Sequence, residues 1–193
     1  MTIEPTPSWA PLAEAADLAF SLHAAQLRKG TRIPYIAHLM SVSALVLEHG
    51  GDLEQAVAAM LHDTIEDCGA QHEAEIRARF GDRVTAIVLA CTDADTFPKP
   101  PWRARKEAYL AHLEETGADA LLVSACDKLH NARAIVEDLR EFGPAMMSRF
   151  KAGLEGTLWY YGALAEVFSR RLPGRLSQEL AMAVAQMQQL GRA

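Results

Sequence analysis

Cysteine, excess positive charge and long apolar runs are all scarce in this chain. Its cysteines, Cys68, Cys91 and Cys126, are odd in number and lack CxxC spacing. That argues against a disulfide framework or a zinc knuckle and predicts a reducing, cytoplasmic setting. Lys and Arg total 19 against 25 Asp and Glu, a net charge of −6, opposite to the basic balance expected of a nucleic-acid surface. No stretch approaches the length of a membrane span. The start, with Glu4, Pro5 and Pro7 in place of a basic segment and an apolar run, predicts a mature soluble protein without a leader. Period-two alternation of β-branched residues is hard to find, and internal repeats, low-complexity tracts and an interdomain linker are missing.

What is present is helical. The 193 residues are 50% hydrophobic and 23% charged, ordinary for one globular domain with a substantial core. The domain is expected to span 1–193, with its motifs at about 20–140 and C-terminal helices at about 144–190. Apolar residues recur at helical spacing and predict an all-α bundle. Helices are expected at about 9–27, 34–49, 53–64, 72–80, 82–92, 101–116, 119–139, 144–171 and 176–190. Gly50-Gly51 followed by Asp52 reads as a helix stop and an N-cap, and Pro34 and Pro144 suit first helical turns. Pro98, Pro100 and Pro101 mark a surface loop. Phe150, Leu154, Tyr161 and Phe168, with Trp159 and Tyr160 beside them, read as core. Leu176, Leu180, Ala183, Met187 and Leu190 give the last helix a narrow seam that either packs on the domain or makes a homo-oligomer contact.

Against this background, polar residues stand where apolar ones are expected. His38 shares a mostly apolar stripe with Tyr35, Val42, Leu45 and His49, where the bland alternative is a satisfied core histidine. Segment 53–64 is apolar on every side after its first turn, so His62 and Asp63 emerge from inside the protein. An unpaired carboxylate there costs roughly several kcal/mol and calls for a cation or strong hydrogen bonds. In 119–139, Asp127 and Asn131 lie opposite the core stripe, on a face that Val123 and Ala134 mark as the lining of a site.

The order H…HDxxED…D supplies two imidazoles and two carboxylates for a divalent metal and leaves Glu66 and Asp67 for proton transfer. Lacking thiolates, such a site favours manganese, iron or magnesium over structural zinc. A metal there would polarise phosphate oxygens and lower the pKa of water. Glu66 and Asp67 would then position that water or protonate a leaving oxygen, the alternative being an exposed helix C-terminus. An anionic substrate of this acidic chain needs local basic clusters, and two exist: Arg28-Lys29-Gly30-Thr31-Arg32, and Lys99 through Lys106 with Arg103 and Arg105. Their alternative is a solvated charge run.

Arg28-Lys29 with Pro34-Tyr35-Ile36-Ala37-His38, then Ala59 through Asp67, then Phe80-Gly81-Asp82-Arg83-Val84, then Asp127 through Arg133 resemble the HD-type hydrolase domain of RelA/SpoT proteins. The blocks keep that family's order and cover most of residues 20–140. With no synthetase or regulatory region recognisable, the chain is most similar to the stand-alone, Mesh-type small alarmone hydrolases. The resemblance implies an HD fold, manganese held by His38, His62, Asp63 and Asp127, and Glu66 and Asp67 as catalytic acids. It implies cleavage of the 3′-diphosphate of a guanosine alarmone such as ppGpp, with release of pyrophosphate. It places Arg28 and Lys29 near base and phosphates and Asn131 on the nucleotide; Arg105 and Lys106 join them as substrate contacts through their charge.

The departures from the family bear on substrate. One extra residue separates Arg28 from His38, Leu39 replaces a proline, Cys68 replaces a threonine, and Ala134 stands where a threonine hydroxyl would touch the nucleotide. Base preference and phosphate number stay open. A phosphatase acting on (p)ppApp, pApp, NADPH or nucleoside monophosphates is the alternative. A nucleotide-sensing module without turnover is a third reading, which the intact acid pair disfavours. The expected partner is a small-molecule nucleotide, with no nucleic acid and no membrane.

Overall fold

Asp52 starts the helix around which the molecule is built. Its side chain accepts a hydrogen bond from Gln55 N (3.0 Å) while Gln55 Oε1 accepts one from Asp52 N (3.0 Å). Such a capping box typically contributes about 1 kcal/mol. Behind it every residue from Gln55 to Leu61 is buried, as expected of a helix apolar on all sides.

The computed structural model describes residues 8–92 and 100–192; Glu4, Pro5, Pro7, Pro98 and Lys99 lie outside the described residues. Among these the helices are α1 (Ala10–Leu22), α2 (Ile36–Glu48), α3 (Leu53–Leu61), α4 (His72–Cys91), α5 (Trp102–Glu115), α6 (Ala118–Phe142), α7 (Gly153–Arg171) and α8 (Arg175–Gly191), with a π-helical turn at Thr64–Cys68 and a 3-10 turn at Pro144–Arg149. Helices α1, α2, α4 and α6 pack around α3, so the architecture is all-α. Fully buried Leu39, Leu61 and Leu129 each contribute roughly 1.5–3 kcal/mol through the hydrophobic effect. No helix among the described residues is long and apolar enough to cross a membrane.

Several boundaries differ from expectation for local reasons. The first helix ends at Leu22 rather than near 27 because residues 26–35 close a short hairpin: Arg28 N donates to Ile33 O and Tyr35 N to Gln26 O, each at 2.9 Å. Pro34 pairs with Leu27 across that hairpin and precedes α2 instead of opening it. Segment 53–64 stops at Leu61 and runs on through the π-helical turn. Segments 72–80 and 82–92 are the two halves of α4, separated as expected by a break at Gly81, whose φ of +88° is not helical. Segment 144–171 divides into the 3-10 turn and α7. The seam of the last helix packs inward, since Leu176, Leu180, Ala183 and Met187 are buried where α8 meets α6 and α7.

Candidate functional site

Three helices bring the HD residues to one point. His38 comes from α2, His62 and Asp63 from the end of α3, and Asp127 from α6. His38 Nε2 lies 3.2 Å from Asp127 Oδ1 and 3.7 Å from Asp63 Oδ2; His62 Nε2 lies 3.0 Å from Asp63 Oδ2 and 3.7 Å from Asp127 Oδ1. His38, His62 and Asp127 each offer one ligand atom, all within 4.8 Å of one another. These three are buried, whereas the Asp63 side chain keeps 18% of its exposure.

The donor set fits a divalent ion. His62 Nδ1 donates to Ala59 O at 2.8 Å, which fixes the tautomer and turns the Nε2 lone pair toward the carboxylates. That Nε2 is buried without a hydrogen-bond partner; Asp63 lies close but poorly aligned. Burial alone would raise both carboxyls. His62 outweighs it at Asp63, and Lys128, His38 and His62 outweigh it at Asp127, so both are held below the usual carboxylate range. Burial lowers the pKa of His38, while at His62 it is overcome by Asp63 and Asp127, which raise it. A buried and a partly exposed carboxylate, both held ionised and facing two imidazole nitrogens, make a place that calls for positive charge.

A second layer fixes the first. Tyr35 Oη donates to Asp63 Oδ2 and Asn131 Nδ2 donates to Asp127 Oδ1, both at 2.5 Å. Lys128 Nζ donates to Asp127 Oδ2, and Arg28 Nη2 donates to Asn131 Oδ1 at 2.9 Å. His38 Nδ1 meets His130 Nδ1 at 2.8 Å. With His38 Nε2 turned to the cluster, its Nδ1–H is the donor and neutral His130 the acceptor. Burial, His38 and Arg28 lower the His130 pKa to about 4, consistent with that role. The sequence shows His130 three residues after Asp127 but gives no sign that it supports His38 across α2 and α6.

Glu66 and Asp67 lie on the π-helical turn, a geometry that recurs at functional sites. Asp67 Oδ2 accepts from Gln26 Nε2 at 2.7 Å, and Gln26 Oε1 lies 2.5 Å from Nδ1 of buried His23. Lost solvation and the Asp63 charge raise the Asp67 carboxyl despite the Gln26 hydrogen bond. His23 and Gln26 escaped the sequence reading, because their link to Asp67 spans 41 residues and no periodicity marks it. Cys68 faces His23, with Sγ 3.7 Å from Nε2.

Beside the cluster lie two adjacent cavities sharing Lys29, Asn131, Ile135, Phe150 and Tyr161 as walls. The smaller, about 270 Å³, is lined further by Arg28, Ala134, Asp138 and Arg149. The larger, about 510 Å³, adds Glu66, Trp102, Arg105, Lys106, Lys128, Lys151 and Tyr160. All five expected substrate contacts, Arg28, Lys29, Asn131, Arg105 and Lys106, therefore line one or both. Within the same basic clusters Arg103 does not: its guanidinium stacks 3.2 Å from the Trp159 ring centroid and pairs with Glu107. Phe150, Tyr160 and Tyr161, read from sequence as core, also serve as cavity wall. Arg149 and Lys151 were not foreseen, since only the turn after α6 carries them back to the site.

A family model described as HD domain matches residues 15–147. The chain is 40% identical over 123 residues to the guanosine-3′,5′-bis(diphosphate) 3′-pyrophosphohydrolase MESH1 of Xenopus tropicalis, covering 62% of this chain and 66% of that protein. It is 36% identical over 127 residues to the human enzyme of the same name, covering 64% and 69%. The chain thus spans about two thirds of the length of these relatives. Among solved structures, a metazoan orthologue of SpoT that hydrolyses ppGpp superimposes with a TM-score of 0.78 at 24% identity, covering 95% of this chain and 98% of that one. By its matched segment, its order of motifs and its relatives, this chain belongs to the HD-domain family and is related within it to the Mesh-type phosphohydrolases.

Proposed function

We propose that the protein is a metal-dependent (p)ppGpp 3′-pyrophosphohydrolase, the activity for which its MESH1 relatives are named. The observation that carries this reading is the cluster of buried His38, His62 and Asp127 with partly exposed Asp63, beside a cleft lined by Arg28, Lys29, Arg105, Lys106, Lys128 and Lys151. In a chain of net charge −6, so local a positive field suits a polyanionic ligand. The free cysteines, Cys68, Cys91 and Cys126, fit a reducing cytoplasm, and the chain acts as one domain on a small nucleotide.

Manganese suits the two imidazoles and two carboxylates, and when bound it supplies Lewis acidity toward a phosphate oxygen and eases deprotonation of water. The chain's own residues hold and cleave the substrate. Arg28, steadied by Asn131, offers a planar guanidinium to stack on a purine, and Lys29 gives a point charge for phosphate. Arg105 and Lys106 meet the diphosphates in the larger cavity. Water attacks the phosphorus bonded to ribose O3′ and the P–O3′ bond breaks. One of Glu66 and Asp67 delivers a proton to O3′ while the other takes the proton that water loses. From ppGpp the products are GDP and pyrophosphate.

His130→Phe removes the acceptor for His38 Nδ1–H, and metal affinity is expected to fall about 10- to 100-fold, the usual cost of losing such an outer partner. Competition with a chromophoric chelator measures it; wild-type affinity would show that His130 does not orient His38.

The test of function is a manganese-supplemented screen of ppGpp, ppApp, pApp, NADPH and common nucleotides with products separated. We expect ppGpp to give the highest kcat/KM. Arg28→Ala, Lys29→Ala and the double change at Arg105 and Lys106 should raise KM in a salt-sensitive way without loss of metal. Activity confined to NADPH or monophosphates, with KM indifferent to both clusters, would move the assignment to a nucleotide phosphatase.

A further inference from the structure

The smaller cavity contains an ion pair that the chemistry above does not use. Asp138, on α6, accepts through Oδ2 from Arg149 Nη2, on the 3-10 turn, and the two side chains are only 21% and 20% exposed. Arg149 is held from two further sides. Its guanidinium lies 5.0 Å from the Phe150 ring centroid, and its stem crosses Gly30, where a Cβ would stand 2.8 Å from Arg149 Cδ. Gly30 also has φ +73°, so the hairpin needs glycine there for both the turn and the close approach.

The two cavities differ in chemistry. Lys29, Arg105, Lys106, Lys128 and Lys151 line the larger one, which suits phosphates. The smaller one shares Lys29, Ile135, Phe150 and Tyr161 with it, and adds Arg28, Ala134 and the mutually neutralised Asp138–Arg149 pair. Flat apolar walls with a few fixed polar groups suit a heterocyclic base.

We infer that Asp138 is a specificity-determining residue that selects guanine over adenine. An ionised carboxylate only accepts hydrogen bonds, and Asp138 commits Oδ2 to Arg149, which leaves Oδ1 as an acceptor. Guanine presents two adjacent donors, N1–H and the exocyclic amine at C2. Adenine presents a lone pair at N1, which a carboxylate repels. Arg149 holds the carboxylate in place. This inference deepens the reading of the protein as a hydrolase of a guanosine polyphosphate and rests on it; it assigns to Asp138 the base selectivity that Ala134, lacking a hydroxyl, does not provide.

Calorimetric titration of GDP, IDP and ADP into the manganese-loaded wild-type protein and Asp138→Asn tests it, alongside kcat/KM for ppGpp and ppApp. Wild type should bind GDP about 10- to 100-fold more tightly than ADP, and IDP, which lacks the C2 amine, should lose much of that advantage. Asp138→Asn should weaken GDP by a similar factor while ADP changes less than about threefold. Should that variant not fold, Asp138→Ala, which removes the acceptor altogether, takes its place in the same titrations. GDP, IDP and ADP bound alike, or a guanine preference that survives Asp138→Asn, would overturn the inference. Guanine selectivity that depends on Asp138 without hydrolysis of ppGpp would refute the proposed activity and leave the base reading standing. Hydrolysis of ppGpp with selectivity indifferent to Asp138 would do the reverse.

Discussion

Glu66→Gln and Asp67→Asn should each lower turnover by roughly two to four orders of magnitude, the range for a positioned acid or base, while metal content and helical circular dichroism stay at wild-type values. Neither residue supplies a donor atom to the buried cluster, so neither change should empty it. The two need not contribute equally. Asp67 is oriented by the His23 and Gln26 relay, and burial and the Asp63 charge raise its carboxyl. Glu66 lines the cavity that carries Arg105, Lys106 and Lys128. Single-turnover kinetics with manganese present separate chemistry from product release. Unchanged turnover in both variants would remove the acid pair from the mechanism.

Asp127→Ala should abolish both stoichiometric divalent-metal binding and activity. Asp127 is the α6 contribution to the cluster, buried and within 3.2 Å of His38. Its loss also strands Lys128, which points its Nζ at the Tyr109 ring from 4.9 Å and has Asp127 as its carboxylate partner. Removing one member of a buried charge pair costs about 3–5 kcal/mol, so a lowered Tm is expected as well. Asp127→Asn keeps the volume and serves as the folded control. Elemental analysis after gel filtration reads the metal directly, and full metal content with full activity in Asp127→Ala would show that this aspartate is not a ligand.

The residues that were legible in the sequence are those whose meaning is local. Asp52 as N-cap, the buried α3 that ends on His62 and Asp63, and the face of α6 opposite its core stripe, which Val123 marks as more than open surface at Asp127, all follow from composition and helical spacing, and the structure has each in place. Residues that act through tertiary contact were not legible. His130 supports a histidine 92 positions away, and Gln26 reaches Asp67 over a gap of 41. Phe150 and Tyr161 carry an apolar pattern that fits core and cavity wall equally well. Asp138 and Arg149 carry no sign in the sequence that they meet; the turn after α6 folds one over the other. The hairpin at 26–35, between the helices expected at 9–27 and 34–49, was not legible either, because Gly30 adopts a left-handed conformation that hydrophobic periodicity does not register.

The most direct test is to supply manganese-loaded protein with ppGpp labelled in its 3′-diphosphate and to separate the products. Intact labelled pyrophosphate should appear together with GDP in equal amounts, and neither product once the metal is chelated. Stepwise release of labelled orthophosphate, or turnover that persists undiminished in excess chelator, would contradict the proposed function.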